Sequence, residues 1–193
     1  MIVAIVRYNA GNVQSVIFAL ERLGITSVLT DDPELILKAD KVIFPGVGEA
    51  STTMAYLKEK KLDEVIRKLK QPVLGICLGM QLLCKHSEEN DTECIGIFDN
   101  NVKLFPHELK VPHTGWNSIT DKKGLLFKNM ESEPFVYYVH SYYAELSAET
   151  KATTNYILPF SAALQKNNFY AVQFHPEKSA RPGETILQNF LNL

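Results

Sequence analysis

Residues 72–79 read Pro-Val-Leu-Gly-Ile-Cys-Leu-Gly, an apolar run that ends in a cysteine flanked at close range by two glycines. Residues 72–76 are continuously apolar over a short length, which is typical of a strand buried on both faces of a parallel sheet. The apolar residues of 78–84 continue as a helix that leaves this strand. This stretch therefore predicts a strand, a tight turn and a helix, which is the repeating unit of an α/β fold.

The preceding sequence repeats the same alternation. Residues 2–6 and 42–44 are short apolar runs rich in β-branched residues, and they predict two more buried strands. Between them, apolar residues recur at helical spacing over 13–23, and Gly24 ends that helix. A second helical region with a polar face ends near Lys70. Alternation at this spacing predicts a parallel central sheet with helices on both faces.

The second half of the chain is richer in β-branched and aromatic residues, and its connections are short and polar. This pattern predicts hairpins in a mixed sheet, followed by a closing helix over 185–191. The predicted strands fall within residues 95–105, 134–143, 152–157 and 162–174. No repeat or linker divides the sequence, so we expect one α/β domain that spans residues 1–193.

Composition excludes several classes of protein. The 193 residues are 46% hydrophobic and 22% charged, with a net charge of −2, which favours a globular protein and gives no electrostatic basis for binding nucleic acid or anionic membranes. No apolar run approaches the roughly 18 residues of a membrane span, and the N-terminus lacks the features of a signal peptide. Three cysteines are an odd number, which indicates a reducing compartment. We therefore expect a cytoplasmic protein.

Cys77 is the first candidate catalytic residue. The segment Gly75-Ile76-Cys77-Leu78-Gly79 has the form of a nucleophile elbow, in which small residues allow a tight turn that presents the thiol at the end of a strand. The helix that follows would favour the thiolate at its N-terminus. A buried cysteine that only packs in a βα turn remains an equal alternative on this segment alone.

A cysteine nucleophile needs a base, and the base needs a group to orient it. His175 and Glu177 lie two residues apart, so an extended segment would direct both side chains to one face. The alternative is a structural histidine in a surface strand.

Pro45-Gly46-Val47-Gly48 follows a predicted strand, at the edge of the sheet where α/β proteins place their sites. Its glycines could expose backbone N–H groups to the tetrahedral oxyanion of an acyl transfer. An ordinary βα turn is the alternative. The glycine spacing is not that of a phosphate-binding loop, so we expect no nucleotide site here.

Six motifs occur in order along nearly the whole chain. They are Tyr8-Asn9-Ala10-Gly11-Asn12, Pro45-Gly46-Val47-Gly48, Gly75-Ile76-Cys77-Leu78-Gly79-Met80-Gln81, Thr114-Gly115-Trp116-Asn117, His140-Ser141-Tyr142-Tyr143 and His175-Pro176-Glu177-Lys178-Ser179. Together they resemble the class I glutamine amidotransferases, and within that family the set is similar to the glutaminase subunits that act in histidine biosynthesis. The resemblance implies a flavodoxin-like fold, with a mostly parallel central sheet and a smaller antiparallel sheet.

The resemblance also implies roles at matching positions. Cys77 would be the nucleophile, His175 the acid–base group and Glu177 its orienting partner. Backbone around the oxyanion would come from Val47, Gly48 and Leu78; glutamine would be bound by Gly46, Gln81, Glu89, Ser141 and Tyr142; and the partner subunit would meet Asn12, Trp116, Tyr137 and Lys178. Cys84 and Cys94 match no functional position and are expected to pack. No metal or organic cofactor is implied, and no cluster in the sequence has zinc-ligand spacing.

Glu89 has independent chemical support, because a carboxylate suits the ammonium group of glutamine. Its alternative is a solvated charge in the polar run of residues 87–91. The chain departs from the family pattern at Arg7, Ala10 and Ala180, which lie in or near the elements expected to face the partner.

The implied reaction is hydrolysis of glutamine through a thioester on Cys77. Because the sequence ends shortly after His175, we expect the site that consumes ammonia on another polypeptide. The resemblance implies that this partner is a (β/α)₈-barrel cyclase, which makes imidazole glycerol phosphate and an aminoimidazole carboxamide ribotide, and that its bound ligand activates the glutaminase.

Three alternatives remain open. A paralogous subunit would feed ammonia to a different synthase, for example one that amidates a sugar, and neighbouring reading frames would distinguish it. A free-standing γ-glutamyl hydrolase would need no partner for turnover. A non-catalytic binding subunit is disfavoured because Cys77, His175 and Glu177 are all present.

Overall fold

The computed structural model describes residues 1–8 and 13–193, and its helices alternate with strands through the first half of the chain. The helices within these residues are α1 (Gln14–Arg22), α2 (Pro33–Lys38), α3 (Ala50–Glu59), α4 (Leu62–Lys68), α5 (Leu78–Leu83) and α6 (Ala180–Leu191). The strands are β1 (Val3–Val6), β2 (Ser27–Thr30), β3 (Lys41–Phe44), β4 (Val73–Ile76), β5 (His86–Ser87), β6 (Thr92–Glu93), β7 (Asn101–Leu104), β8 (His113–Ser118), β9 (Phe135–His140), β10 (Tyr142–Ala144), β11 (Thr150–Tyr156), β12 (Leu158–Lys166) and β13 (Phe169–Val172).

The central sheet has seven strands in the order β11-β12-β13-β4-β3-β1-β2. Neighbours from β13 to β2 pair in parallel, while β11, β12 and β13 form an antiparallel meander. β1, β3, β4 and β13 are buried along their whole length, as continuous apolar runs in a two-sided sheet require. The prediction of a mostly parallel central sheet is confirmed.

Two apolar layers cover the sheet, one on each face. Alternate residues of each strand enter different layers, so that Val3 and Ile5 pack with α1 and α6, whereas Ala4 and Val6 pack with the helices α2 to α5. The predicted placement of helices on both faces is therefore confirmed. Across the residues it describes, the structure contains no helix with the length and apolar character that a bilayer crossing requires.

Two smaller sheets flank the central one. β8 and β9 form an antiparallel ribbon, and four strands in the order β10-β7-β5-β6 form a second sheet. This second sheet is mixed, because β5 pairs with β7 in parallel. The family resemblance implied one smaller antiparallel sheet, whereas the described residues form two smaller sheets, one of them mixed. The additional strands β5 and β6 have only two residues each, too few to show an alternation of apolar and polar side chains.

Two helices differ from their predicted extents. The region that ends near Lys70 is divided into α3 and α4 at Lys61, which adopts the left-handed conformation with φ 55°. α6 begins at Ala180 and not at residue 185. Its first turn contains Pro182 and Gly183, which resemble a turn in the sequence, but proline is tolerated in the first turn of a helix.

Parallel pairing brings the carboxyl ends of four strands to one edge of the sheet. β1, β3, β4 and β13 end at Val6, Phe44, Ile76 and Val172, and the register pairs Val172 with Ile76 and Phe44 with Gly75. The segments that follow these strands carry the predicted catalytic motifs. The fold therefore gathers residues distant in sequence at the edge where α/β proteins bind their ligands.

Candidate active site

Cys77 occupies the turn between β4 and α5. Its backbone has φ 52° and ψ −109°, a conformation that costs energy for a residue with a side chain. Two hydrogen bonds hold it in place: the Cys77 N–H donates to the Val172 carbonyl at 2.8 Å, and its carbonyl accepts from the Gln81 N–H at 3.2 Å. Strain of this kind is found mainly where function requires it, as at a nucleophile elbow.

The two glycines of the elbow are required by packing. A Cβ atom on Gly79 would overlap the backbone carbonyl oxygen of Phe44, at the end of β3. A Cβ atom on Gly75 would lie 2.8 Å from Cδ1 of Leu83 and 3.0 Å from the backbone nitrogen of Met80. The tight turn expected around Cys77 therefore exists because α5 lies directly on β3 and β4.

His175 and Glu177 form a buried pair. The Nδ1 atom of His175 lies 2.8 Å from Oε1 of Glu177, and their side chains are only 2% and 4% exposed. The pair was expected on an extended segment, but Pro176–Lys178 is a 3-10 turn, which folds Glu177 back against the imidazole. The Ser179 hydroxyl fixes this turn by donating to the His175 carbonyl at 2.6 Å.

The electrostatics of His175 favour its protonated form. Burial alone would lower its pKa, but electrostatic attraction to Cys77 and the Glu177 carboxylate at Nδ1 raise the pKa of His175 to about 10. The attraction between His175 and Cys77 is mainly electrostatic. Nε2 of His175 makes no hydrogen bond of regular geometry with any residue that the structure describes. Since Nδ1 faces a carboxylate, it carries a proton, and Nε2 is left to exchange one with the thiol.

A cleft of about 340 Å³ opens beside Cys77. Four of the five residues predicted to bind glutamine line it, namely Gln81, Glu89, Ser141 and Tyr142. The fifth, Gly46, does not line this cleft and lies instead against a small cavity of about 20 Å³ that His175 also lines. The remaining walls of the cleft are formed by Val47, Gly48, Leu78, Pro112, Val139 and His140.

The predicted oxyanion donors lie next to Cys77, although one of them is engaged. The Leu78 N–H donates to the carbonyl of Gly46 over 3.4 Å, so this amide is already satisfied within the protein. Gly48 is exposed and has φ 136°, a conformation that only glycine adopts readily. A substrate oxyanion would have to displace the Gly46 carbonyl before it could use the Leu78 amide.

Glu89 lines the cleft and interacts electrostatically with the carboxylate of Glu49. Oε2 of Glu89 accepts from the Ala50 N–H at 2.8 Å, and burial together with the neighbouring Glu49 raises the pKa of Glu89. Glu49 caps α3, and hydrogen bonds from Ser51 foremost lower its pKa to about 2. The role of Glu49 was not predicted. The signal for it is an acidic residue directly before a helix, a position that favours a capping side chain.

Buried polar side chains behind Cys77 were also missed. Nε2 of Gln173 lies 3.6 Å from the Cys77 sulfur, and its Oε1 accepts from the Gln81 amide at 3.0 Å. His113 and His140 lie in the same layer, 3.0 Å apart. Gln173 directly precedes the Phe-His-Pro-Glu motif, which is the sequence signal that could have indicated it.

The residues predicted to face a partner lie on the outer side of His175. Trp116 and Tyr137 are opposite one another on the β8–β9 ribbon, with ring centroids 6.0 Å apart, and Trp116 is 52% exposed. Trp116 and the exposed Lys178 line one groove of about 450 Å³. Asn12, also predicted at this surface, lies outside the described residues.

Cys84 and Cys94 are buried among apolar side chains, where they were expected to pack. Burial raises the pKa of both thiols, for Cys94 to about 12, which leaves them protonated and poorly reactive.

Comparison with known proteins places this geometry in a family context. The profile of the family described as Glutamine amidotransferase class-I matches residues 5–193. The chain is 60% identical over 196 residues to the imidazole glycerol phosphate synthase subunit HisH of Bacteroides fragilis strain YCH46, with all of both chains covered. It is 44% identical to the subunit of the same name from Vibrio parahaemolyticus, with 99% of this chain and 98% of that protein covered.

Solved structures show the same fold at low sequence identity. A crystal structure of a glutamine amidotransferase superposes with a TM-score of 0.75 at 18% identity, covering 98% of this chain and 97% of that one. PurLQS from Thermotoga maritima superposes with a TM-score of 0.72 at 16% identity, covering 99% and 97% of the two chains. These similarities confirm the predicted fold class.

Proposed function

This chain belongs to the class I glutamine amidotransferases, and from that premise we propose that it is the glutaminase subunit of an imidazole glycerol phosphate synthase. Relatives of that name match it over its full length. The observation that carries the chemistry is the set of Cys77, held in a strained elbow, and the buried His175–Glu177 pair beside a cleft. A cysteine, a base and an orienting carboxylate are the groups that acyl transfer from an amide requires.

In the proposed reaction, the thiolate of Cys77 attacks the side-chain amide carbon of glutamine. The imidazolium of His175 protonates the departing nitrogen, so that ammonia leaves and a γ-glutamyl thioester remains on Cys77. His175 then removes a proton from water, which attacks the thioester and releases glutamate and the free thiol. The raised pKa of His175 supports its role as the acid of the first step.

Glutamine would lie in the 340 Å³ cleft, with its reacting amide at Cys77 and its ammonium group at Glu89. The carboxylate of Glu89 retains one oxygen not used by Ala50, and a charge-assisted hydrogen bond to an ammonium is stronger than one between neutral groups. Gln81 donates to the Tyr142 carbonyl, which holds these two predicted binding residues together at the wall of the cleft.

The proposed oxyanion site has a resting and an active arrangement. The Gly46 carbonyl accepts from the Leu78 N–H, which leaves that donor occupied at rest. We propose that the Val47–Gly48 peptide reorients when the partner binds its ligand, so that backbone N–H groups face the oxyanion. The freedom of Gly48 at φ 136° supports such a change.

Ammonia would leave past His175 into a cavity of about 20 Å³, which is lined by Val6, Val13, Val16, His175 and Glu177 among others. This volume holds about one molecule of the size of water or ammonia. Beyond it, the surface of Trp116, Tyr137 and Lys178 would bind a (β/α)₈-barrel cyclase, in the cytoplasm, which consumes the ammonia to form imidazole glycerol phosphate and the carboxamide ribotide.

The experiment that tests this function is detection of the thioester. The complex with the cyclase is mixed with glutamine, quenched in acid and digested, and the peptide that contains Cys77 is weighed by mass spectrometry. We expect a mass increase of one γ-glutamyl group that is absent from the Cys77→Ala protein and unchanged in Cys84→Ala. An unmodified Cys77 peptide during steady turnover would contradict the proposal.

A further inference from the structure

Gln173 lies between β13 and the His175 turn, with its side-chain nitrogen facing the sulfur of Cys77. We propose that Gln173 is a positioning residue, whose amide N–H donates a hydrogen bond to the Cys77 thiolate and directs the sulfur toward the substrate. The distance from Nε2 to Sγ is 3.6 Å, and Gln173 is fully buried. The inference rests on the function proposed above, since it concerns the nucleophile of that reaction.

The direction of this hydrogen bond follows from a backbone carbonyl. The oxygen of Tyr142 can only accept, so the Gln81 atom that lies 2.9 Å from it must be the NH₂ group. The same NH₂ group lies 3.0 Å from the Gln173 side chain, which must therefore present its oxygen to Gln81. The remaining NH₂ group of Gln173 then faces Cys77. The polarity of both amides is thus set by Tyr142.

The same carbonyl sets the tautomers of two histidines. Nδ1 of His140 lies 2.7 Å from the Tyr142 oxygen and must carry the proton, which leaves Nε2 as an acceptor. Nδ1 of His113, at 3.0 Å, must then donate to it. Nε2 of His113 is left to accept from the side-chain nitrogen of Asn117 at 3.4 Å.

Two further hydrogen bonds fix the orientation of Asn117, which lies at the other end of this series of hydrogen bonds. The side-chain oxygen of Asn117 accepts from the Ser118 N–H at 2.8 Å, and its nitrogen donates to the Asn155 carbonyl at 3.1 Å. Both contacts require the orientation of Asn117 that the histidine chain also requires. The donors of this histidine branch therefore all point from Asn117 toward the Tyr142 carbonyl, while a second branch leads from Gln81, at the same carbonyl, through Gln173 to Cys77.

Burial preserves this arrangement of hydrogen-bond donors and acceptors. Gln81, His113, His140 and Gln173 are at most 6% exposed, so water cannot replace a missing partner. A protonated histidine would place two donors in a chain that has one donor and one acceptor for each ring. Burial lowers the pKa of His113 to about 4 and that of His140 to about 3, which keeps both neutral at physiological pH.

A neutral amide donor can stabilise a nucleophilic thiolate without losing its own proton during the reaction. His175 exchanges its proton with the reaction at each step, whereas the Gln173 N–H stays in place through attack and through release of the thioester. A hydrogen bond to an ionised sulfur is stronger than one to a neutral sulfur. Gln173 therefore favours the thiolate both as nucleophile and as leaving group.

The test compares Gln173→Met, which removes the donor at similar length, with Gln165→Met, the same change on β12 at the opposite end of β13. The first readout is the rate at which iodoacetamide alkylates Cys77 in the full chain, measured as a function of pH at the level of the Cys77 peptide. His175 and Tyr8 are the titratable groups that interact with Cys77, and both are unchanged in the two variants. We expect the midpoint of the profile to rise by about one pH unit in Gln173→Met alone.

The second readout is glutamine turnover in the complex with the cyclase. We expect kcat to fall by about 10–100-fold in Gln173→Met while KM changes less than about threefold, because the hydrogen bond is made to the enzyme's own sulfur. If Gln173→Met does not fold, Gln173→Leu carries the test. Its side chain is uncharged and has no donor, and the same upward shift is expected.

Failure of this inference can be distinguished from failure of the proposed function. An alkylation profile of the Gln173 variants that matches the wild-type profile would overturn the role of Gln173, whatever the wild-type turnover. Absence of Cys77-dependent glutaminase activity in the wild-type complex would refute the proposed function, while the alkylation profiles would still decide whether Gln173 acts on the thiol.

Discussion

The backbone carbonyl of Tyr137 accepts a hydrogen bond of 2.9 Å from the backbone N–H of His175. The backbone N–H of Tyr137 in turn donates a hydrogen bond to the hydroxyl oxygen of Ser179 at 2.9 Å. β9, on which Tyr137 lies opposite the exposed Trp116 of β8, is thus tied directly to the turn that carries the base. In the proposed complex, a partner bound at Trp116 and Tyr137 would act on His175 through these two hydrogen bonds.

Removing the charge of Glu177 is expected to impair turnover without loss of glutamine binding. Glu177→Gln keeps an oxygen at Nδ1 of His175 but no longer stabilises the imidazolium. We expect kcat to fall by about 10²–10⁴-fold, with KM within a few-fold of wild type. Steady-state glutaminase assays of the complex measure this change. Glu64→Gln, on the exposed face of α4, is the matched control, and equal kcat values for the two variants would rule out an orienting role for Glu177.

Glutamine binding is expected to depend on Glu89. Glu89→Gln removes the negative charge that we assign to the ammonium group but keeps an acceptor for the Ala50 N–H. We expect KM for glutamine to rise about tenfold or more with kcat nearly unchanged. Glu93→Gln, an exposed position on β6, should leave KM at the wild-type value. A wild-type KM in Glu89→Gln would show that glutamine's ammonium group lies elsewhere.

The contact between Gly79 and the end of β3 is expected to leave no room for an added methyl group. Gly79→Ala would place its Cβ atom on the Phe44 carbonyl, and we expect the free energy of unfolding to drop by about 3 kcal/mol or more. Gly96→Ala separates this steric effect from backbone strain. Gly96 has φ 75° with open space around it, so this change should cost only about 1 kcal/mol. Urea denaturation of both variants gives the comparison, and equal losses would contradict the packing described for Gly79.

Stability should fall as the pH drops below about 6.5 because of His113 and His140. Their pKa values of about 4 and about 3 in the folded chain lie below the usual 6.5 of an unfolded histidine. In the interval between these values the unfolded state binds more protons, so the free energy of unfolding decreases with decreasing pH, by up to about 1.4 kcal/mol per pH unit for each histidine. The stabilisation is complete above pH 6.5.

Urea denaturation between pH 5 and pH 7 tests this dependence. His113→Gln should flatten the slope by about one proton, whereas His107→Gln, on an exposed loop, should leave the slope unchanged. The slope is compared between pH 5 and pH 6, where His175 contributes little, because its raised pKa lowers stability mainly as the pH rises through 6.5 and above. A slope that is the same in wild type and His113→Gln would mean that the buried pair does not remain neutral.

The sequence predicted the features that depend on short-range patterns. The run of residues 72–76, the glycines around Cys77 and the spacing of His175 and Glu177 each have a local physical meaning, and the structure brings these groups to one edge of the sheet. The separation of α3 and α4 was missed because it depends on the backbone of one residue, Lys61, whose side chain carries no signal of a left-handed conformation.

The polar network behind Cys77 could not be predicted, because it depends on contacts between distant segments. Gln81 and Gln173 are 92 residues apart, and His113 and His140 are 27 residues apart. Gln81 belongs to the Cys77 motif and Gln173 adjoins the His175 motif, but neither motif indicates that the two side chains meet, and each histidine alone is more often a structural residue. Only the fold shows that the carbonyl of Tyr142 accepts hydrogen bonds from both Gln81 and His140.

The measurement that tests the central claim most directly is glutamate release from glutamine by the purified chain, with and without a ligand-bound histidine-pathway cyclase, with Cys77→Ala as the blank. The account predicts slow release by the chain alone and strong stimulation by the cyclase, both lost in Cys77→Ala. Release that depends on Cys77 but does not respond to the cyclase would contradict the proposed partner, and release that persists in Cys77→Ala would contradict the proposed chemistry.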